Sequence, residues 1–424
     1  MLKVLRNKNF TLSWFSGLIS IAGNWVLLAA LPFYIYEITG SALATAGVFM
    51  AFMGPGIILG SIAGVFVDRW NKITTMLIVN ILQVGVVLLL TLVQSADWAW
   101  LVFVVLVIEA SIAQFFGLAE NALLPKLVGK EDLVAANSLN SMNDNLARLA
   151  APAIGGLVLA NYGFTNVVLI DALTYLVAAG LILTVWLTWS GVDEPTKTPL
   201  EPKAASLGQH VQTVLAEWRD GFQIVWEHHI LRSTFIIISL GLLGDAFVSS
   251  VLVIFLQDDL NMGAAEFGYI MTARGVGGLV GGILIAQFGE RLNPKATLIL
   301  SLLLLGAVIT AAVLWTKTLV GMMLLLAVGG VPAVGMFIAV QTIFQTVAPG
   351  AYLGRVFGLF QTVIALLMFI GYFIGGLLGE TVPASAIVFT GALIYLAAGI
   401  IGLLLLRRVD LPHAKQDLTA DTAG

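Results

Sequence analysis

The 424-residue chain contains no cysteine. That excludes a disulfide framework, thiol catalysis and cysteine-based metal sites. Charge is scarce too: Asp, Glu, Lys and Arg make up 10% of the residues, against ~25% in a soluble domain. Twenty Lys+Arg and twenty-four Asp+Glu cannot cover the surface of a water-soluble protein of this length. No Gly-x-x-x-x-Gly-Lys-Ser/Thr phosphate loop occurs, so an ATP-driven pump would need a separate ATPase subunit. No His-Glu-x-x-His or Ser/His constellation occurs either, and Gly244-Asp245 lacks the second acid that an intramembrane aspartyl protease needs. Histidine is limited to four residues, and the adjacent His228 and His229 have no carboxylate motif beside them. These absences exclude an ordinary cytosolic enzyme, a nucleic-acid-binding protein and a disordered chain.

What the chain has is apolar length. Hydrophobic residues make up 59% and the mean hydropathy is +1.00. Forty-four glycines suit closely approaching transmembrane helices. A spanning helix needs ~20 apolar residues. Twelve runs qualify: 10–36, 42–67, 73–94, 99–119, 136–160, 165–189, 231–256, 266–288, 296–315, 318–342, 356–379 and 384–406. No cleavable signal peptide is expected, because the run after Lys3, Arg6 and Lys8 is too long for one. With the N-terminus inside, the twenty Lys and Arg divide sharply. Seventeen fall in inside segments, only Lys317 falls outside, and Arg148 and Arg274 lie within spans. This positive-inside bias predicts two cytoplasmic termini.

The expected fold is therefore all-α: twelve transmembrane helices in two pseudo-symmetric six-helix bundles. The bundles are expected at 1–190 and 231–408, joined by a cytoplasmic linker at 191–230 and followed by a polar tail at 409–424. From Ser206 onward the linker reads as an amphipathic helix, lying on the membrane face or packed on the bundle. The halves also repeat. Gly60 with Asp68-Arg69-Trp70-Asn71 matches Gly282 with Glu290-Arg291-Leu292-Asn293 at an offset of 222. Ile154-Gly155-Gly156-Leu157 matches Ile374-Gly375-Gly376-Leu377 at an offset of 220. A six-plus-six repeat is a transporter architecture, with the substrate site between the halves near the membrane midplane.

The motifs resemble those of the major facilitator superfamily. Gly64-x-x-x-Asp68-Arg69-Trp70-Asn71-Lys72 is similar to its signature loop, with Asn71 in place of the second glycine. Asn enters the left-handed region more readily than most residues. The resemblance implies a conformational switch in which Asp68 and Arg69, with Glu290 and Arg291 in the second half, lock the cytoplasmic ends. Ala147 to Gly156 is similar to the antiporter motif, keeping Pro152, Gly155 and Gly156 and placing alanine at both leading glycines. That motif implies an exporter. Segments such as Arg6-Asn7-Lys8-Asn9-Phe10, Ile38-Thr39-Gly40-Ser41-Ala42 and Ile170-Asp171-Ala172-Leu173-Thr174-Tyr175 resemble the macrolide-efflux and enterobactin-exporter branch. Asn24, Leu118 and Glu109 depart from that branch, which often has Asp, Pro and, in many drug antiporters, Arg at these places.

Ionisable groups inside a membrane are costly and mark function by default. The candidates are Glu109, Asp144, Arg148, Asp245 and Arg274, with Asp171 expected in a structural hydrogen-bonding role. Glu109 and Arg148 fall at similar depth on consecutive spans and could pair, with Asp144 one turn away competing for Arg148. Asp245 and Arg274 are expected to form a second pair. Glu109 is the expected proton-coupling residue. Polar Asn24, Gln114 and Gln341 are the expected cavity residues. Trp14, Trp25, Phe33, Phe52, Phe115, Phe116, Met336, Phe337 and Phe344 are apolar candidates for the same lining. The expected function is proton-driven export of a small amphipathic molecule from a bacterial cell, with a lipid or lysolipid translocator on the same scaffold as the alternative. Expected partners are the substrate, protons and membrane lipids. No cofactor, metal or nucleic acid is expected, and the chain is read as a monomer.

Overall fold

The computed structural model of the chain describes residues 3–189, 218–289, 292–349 and 352–406, without the side chains of 57, 58, 60–62, 65, 68, 130, 141, 144 and 145. The expectations for the Asp68 and Asp144 side chains, for Glu290 and Arg291, for the linker before Trp218 and for the tail lie outside the described residues. The described residues are helical throughout, apart from short connections.

Helix α1 covers Lys8–Thr39, α2 covers Ala42–Arg69 and α3 covers Lys72–Leu88. The helical run Ala99–Tyr162 is two helices meeting at Gly129: α4 (99–128) and α5 (130–162). Gly129 has φ 72°, a left-handed value that breaks the helical path. Helix α6 covers Phe164–Thr188. The second half holds α7 (His229–Ile254), α8 (Ala264–Phe288), α9 (Pro294–Trp315), α10 (Leu319–Val347), α11 (Leu353–Gly379) and α12 (Ala384–Leu406). Among the described residues, ten helices are long and apolar enough to cross a membrane, and Ala42–Gly56 and Leu146–Tyr162 are shorter apolar helices.

Polar caps divide the apolar chain into helices. Asn7 Oδ1 accepts from the Asn9 and Phe10 N–H groups and starts α1. Gly40, at φ 62°, ends α1, and Ser41 caps α2 through Ala44 N–H. Asn71 caps α3 by accepting from Thr74 N–H at 2.8 Å. Its φ is −67°, so its backbone is extended and not left-handed. Asn293 caps α9 in the same way, accepting from Lys295 N–H at 3.0 Å. The recurrent Asn of the two switch loops therefore has one local job in both halves.

Helices α1–α6 pack mainly on one another, and so do α7–α12. Two buried clusters belong to the first set and one to the second. A fourth joins them, setting Ala29, Phe33 and Ala42 against Val251, Phe255, Phe267 and Ile387. It lies at the end of the molecule that holds the α1–α2, α7–α8 and α11–α12 turns. Hydrogen bonds latch this end: Tyr36 donates to Asp258, and Glu380 Oε1 accepts from the Ser41 hydroxyl (2.7 Å) and Leu43 N–H (2.9 Å). Phe49 stacks on Tyr372, with centroids 5.1 Å apart. At the opposite end, a Cβ on Gly64, Gly354 or Gly358 would meet nothing within 4 Å. The halves thus close on each other at the first of these ends.

Residues 218–227 are helical and pack on the second half. Val225 is buried in its core, and Asp220 pairs with Arg355 at 3.2 Å. Trp218, Phe222 and Trp226 face outward.

Candidate functional site

The site grows from a close approach of α1 to α6. A Cβ on Gly23 would overlap Thr174 Oγ1 and come within 2.5 Å of Asp171 Oδ1, so only glycine permits this contact. The next residue, Asn24, then reaches Glu109 on α4. Asn24 Nδ2 donates to Glu109 Oε1 at 3.1 Å, and the Tyr175 hydroxyl of α6 donates to the same oxygen at 2.8 Å. Gln83 Nε2 of α3 donates to Tyr175 at 3.4 Å. Four helices thereby hold one carboxylate.

This cluster is buried: Glu109 is 2% exposed and Asp171 is fully enclosed. Glu109 Oε2, Asp171 Oδ2 and Asn80 Oδ1 have no hydrogen-bond partner in the protein. The Thr174 hydroxyl donates to the Asp171 carbonyl at 2.7 Å and approaches its Oδ1 at 3.4 Å. Asp171 lies one helical turn before Tyr175 on α6 and against Gly23 of α1, next to Asn24 in the chain. No cation pairs with either acid among the described residues. An uncompensated buried charge costs several kcal/mol, so this pocket favours the neutral form of its carboxyl groups.

The Glu109–Arg148 pair does not form. Arg148 stands on the face of α5 turned to α1, and its guanidinium lies over the Trp25 ring at 4.6 Å. Glu109 is committed to Asn24 and Tyr175 on other faces. Asp171 is also more central than a structural role on an outer helix suggests, since it lies against Gly23 of α1. Gln114 donates to the Ala110 carbonyl of its own helix at 3.3 Å and faces Gly56 of α2. Gln341 is exposed on α10. Trp14, Phe33, Met336 and Phe344 are core residues and not lining. Trp14 Nε1, for example, donates to the Leu139 carbonyl at 2.9 Å.

In the second half, Arg274 of α8 reaches Asp245 of α7 at 3.7 Å. The Tyr395 hydroxyl of α12 donates to the same Asp245 oxygen at 3.0 Å. Here the acid has its cation.

The antiporter-like motif lies where the halves meet. A Cβ on Gly155 would overlap the Val26 carbonyl oxygen of α1, and one on Gly156 would overlap that of Ala264 on α8. Gly268 returns the contact, since its Cβ would lie 2.6 Å from the Pro152 carbonyl oxygen. Glycine at both positions lets α5 touch α1 and α8 backbone to backbone. In the switch loop, Gly64 has open space, and Lys72 is buried with Nζ donating to the Trp70 carbonyl at 3.0 Å. Arg69 is exposed and makes no ion pair or hydrogen bond among the described residues.

Sequence reasoning did not assign roles to Tyr175, Gln83, Asn80 or Tyr395. Asn80 and Gln83 sit three residues apart on an otherwise apolar span, and that polar pair was the available signal.

Comparison with known proteins agrees with this architecture. A family model described as "Transmembrane secretion effector" matches residues 1–422. The multidrug efflux pump Tap of Mycolicibacterium fortuitum is 27% identical over 94% of this chain and 96% of its own. Macrolide efflux protein A of Streptococcus pyogenes is 23% identical over 88% of this chain and 89% of its own. Among solved structures, a bacterial homologue of the iron transporter ferroportin in an inward-facing state superposes with a TM-score of 0.70 at 16% identity, covering 96% of this chain and 99% of that one. The nucleoside transporter NupG gives 0.73 at 11% identity, covering 94% and 100%. The chain is a multi-pass protein of the bacterial cell membrane, a transporter and not an enzyme, and it belongs to the transmembrane secretion effector family of the major facilitator superfamily.

Proposed function

We propose that this protein exports amphipathic small molecules in exchange for protons, by alternating access between two six-helix bundles at 1–190 and 231–408. The names of the relatives point to drug-like and macrolide-like cargo. The observation that carries proton exchange is Glu109, buried against three helices with Oε2 unpartnered and no cation at hand. In this reading the Glu109 carboxyl takes a proton when its pocket is sealed and releases it when water and cargo reach it. Asn24 and Tyr175 hold Oε1 in place throughout.

Counting α4 and α5 separately supports twelve spans, and the seventeen inside cations support cytoplasmic termini. The latch at Ser41, Leu43 and Glu380 then lies on the outer side, and the opposite end faces the cytoplasm. The absence of native cysteine makes orientation directly testable. A cysteine introduced at Ser95 should react with an impermeant maleimide from outside, and one at Glu131 only after permeabilisation.

The function is tested by efflux of a panel of dyes, macrolides and siderophores from cells expressing the chain, with and without a protonophore. Collapse of efflux by the protonophore is expected. Efflux that survives it but stops on ATP depletion would overturn proton exchange.

A further inference from the structure

A concavity in the described structure lies outside the Glu109 cluster. It is a groove of about 610 Å³ on the outer face of the first half, between α3, α4 and the α2–α3 loop. Ile78, Leu82, Ile112 and Phe115 make its apolar floor, and Arg69 stands at its mouth beside Trp70. Ile78 is 51% and Leu82 50% exposed, as other outward-facing apolar side chains of this molecule are. Helix α3 packs on α4 and α6 and has no substantial contact with the second half, so this exposure faces lipid and not the central cleft.

Three features say what fills the groove. Its length from Asn71 to Leu82 is eleven residue steps, ~16 Å along a helix, which matches the ~15 Å of one hydrocarbon leaflet. Its open end carries a guanidinium with no partner among the described residues, together with the polar side chains of Asn71 and Thr74. A planar cation with paired N–H donors is suited to a phosphate. Trp70 flanks the same end, stacked on Phe115 at 5.7 Å, at the level where aromatic side chains meet headgroups. Charge, polarity and apolar depth are thus ordered as they are in a phospholipid.

We propose that this groove binds one anionic phospholipid, with an acyl chain along α3 and its phosphate on Arg69. The assignment to the cytoplasmic leaflet rests on the orientation proposed above, whereas the binding itself does not.

The test is native mass spectrometry of the purified, delipidated full-length protein titrated with phosphatidylglycerol or phosphatidylcholine of identical chains. The expected result is one saturable phosphatidylglycerol, bound about tenfold tighter than phosphatidylcholine, as suits a charge-assisted contact. Arg69→Gln should abolish that preference and Arg69→Lys should keep most of it. Leu82→Trp, which fills the floor, should weaken both lipids equally. Thermal unfolding of each variant in the same detergent identifies any that fail to fold, and the Arg69→Gln and Arg69→Lys comparison still decides if Leu82→Trp is lost. Equal affinity for the two lipids in the unmodified protein would overturn the proposal, as would a preference that survives Arg69→Gln. Displacement of the lipid by glycerophosphoglycerol at matched concentration would make this a bare anion site and overturn it. Displacement by a transported dye would assign the groove to cargo instead. The cysteine-labelling test of orientation is independent of all these outcomes.

Discussion

The two halves hold their acids in opposite ways. In the first half, Glu109 is 2% exposed and accepts from Asn24 and Tyr175, with no cation paired to it among the described residues. In the second, Asp245 is partly exposed, accepts from Tyr395, and has Arg274 at 3.7 Å. Both sites use a tyrosine hydroxyl from the last helix of their bundle. They differ in the cation. A carboxylate with its own guanidinium gains little from a proton, while one buried without a counter-charge must be relieved of its charge or leave the pocket. The repeat thus places an acid and a tyrosine in each half, and under the proposed proton exchange the first copy is the one that would carry the proton.

Glu109→Gln gives the largest expected effect: proton-driven efflux falls to background in vesicles, while equilibrium binding of cargo survives. Asp245→Asn should leave coupling intact. The reverse pattern would invert the comparison.

Next in size is Arg274→Ala, which strands Asp245. A fully buried pair would lose ~3–5 kcal/mol, and partial exposure here lowers the expectation to about 1–3 kcal/mol of unfolding free energy. The double variant Asp245→Asn with Arg274→Gln should recover most of it in a detergent melt. A double variant no more stable than the single would show that charge is not what Arg274 supplies.

Tyr175→Phe removes one donor from Glu109, a contact of ~1.5–3 kcal/mol for a charged acceptor. It should move the pH midpoint of efflux, whereas Tyr395→Phe should not. Equal behaviour of the two tyrosines would remove the distinction between the halves.

The smallest effect concerns the latch across the halves. Hydrogen bonds from Leu43 N–H and the Ser41 hydroxyl hold the Glu380 carboxyl below its ordinary range. The latch is therefore fully present above the usual carboxyl value of ~4.3 and is lost as pH falls through the lowered value. Glu380→Gln should widen spin-label distances between cysteines introduced at Glu37 and Thr381 at neutral pH, with at most a few-fold shift in population. Acidification below about pH 4 should move the parent protein the same way. Unchanged distances in both experiments would show that apolar packing alone closes this end.

Much of this was legible in the chain because membranes impose simple rules. Apolar length marks helices, cations mark a side, and recurrent motifs mark a repeat and a family. Asn71 and Asn293 were visible as recurrent residues, and their capping role follows from their place before a helix. The pairing of Glu109 was misread because depth along a span gives height but not direction. On helices apolar all round, nothing in sequence says which face of α5 carries Arg148 toward Trp25. Gly23 shows the same limit: its closeness to Asp171 and Thr174 arises from 150 residues of intervening chain returning to α1.

By itself the sequence determined the solvent, the helices, the family and the small set of acids that water-free surroundings make expensive. Tertiary structure decided which of those acids has a cation and which does not. Ion pairing depends on the angular register and spacing of helices distant in the chain, and close glycine contacts such as Gly23 on α6 and Gly156 on α8 set both.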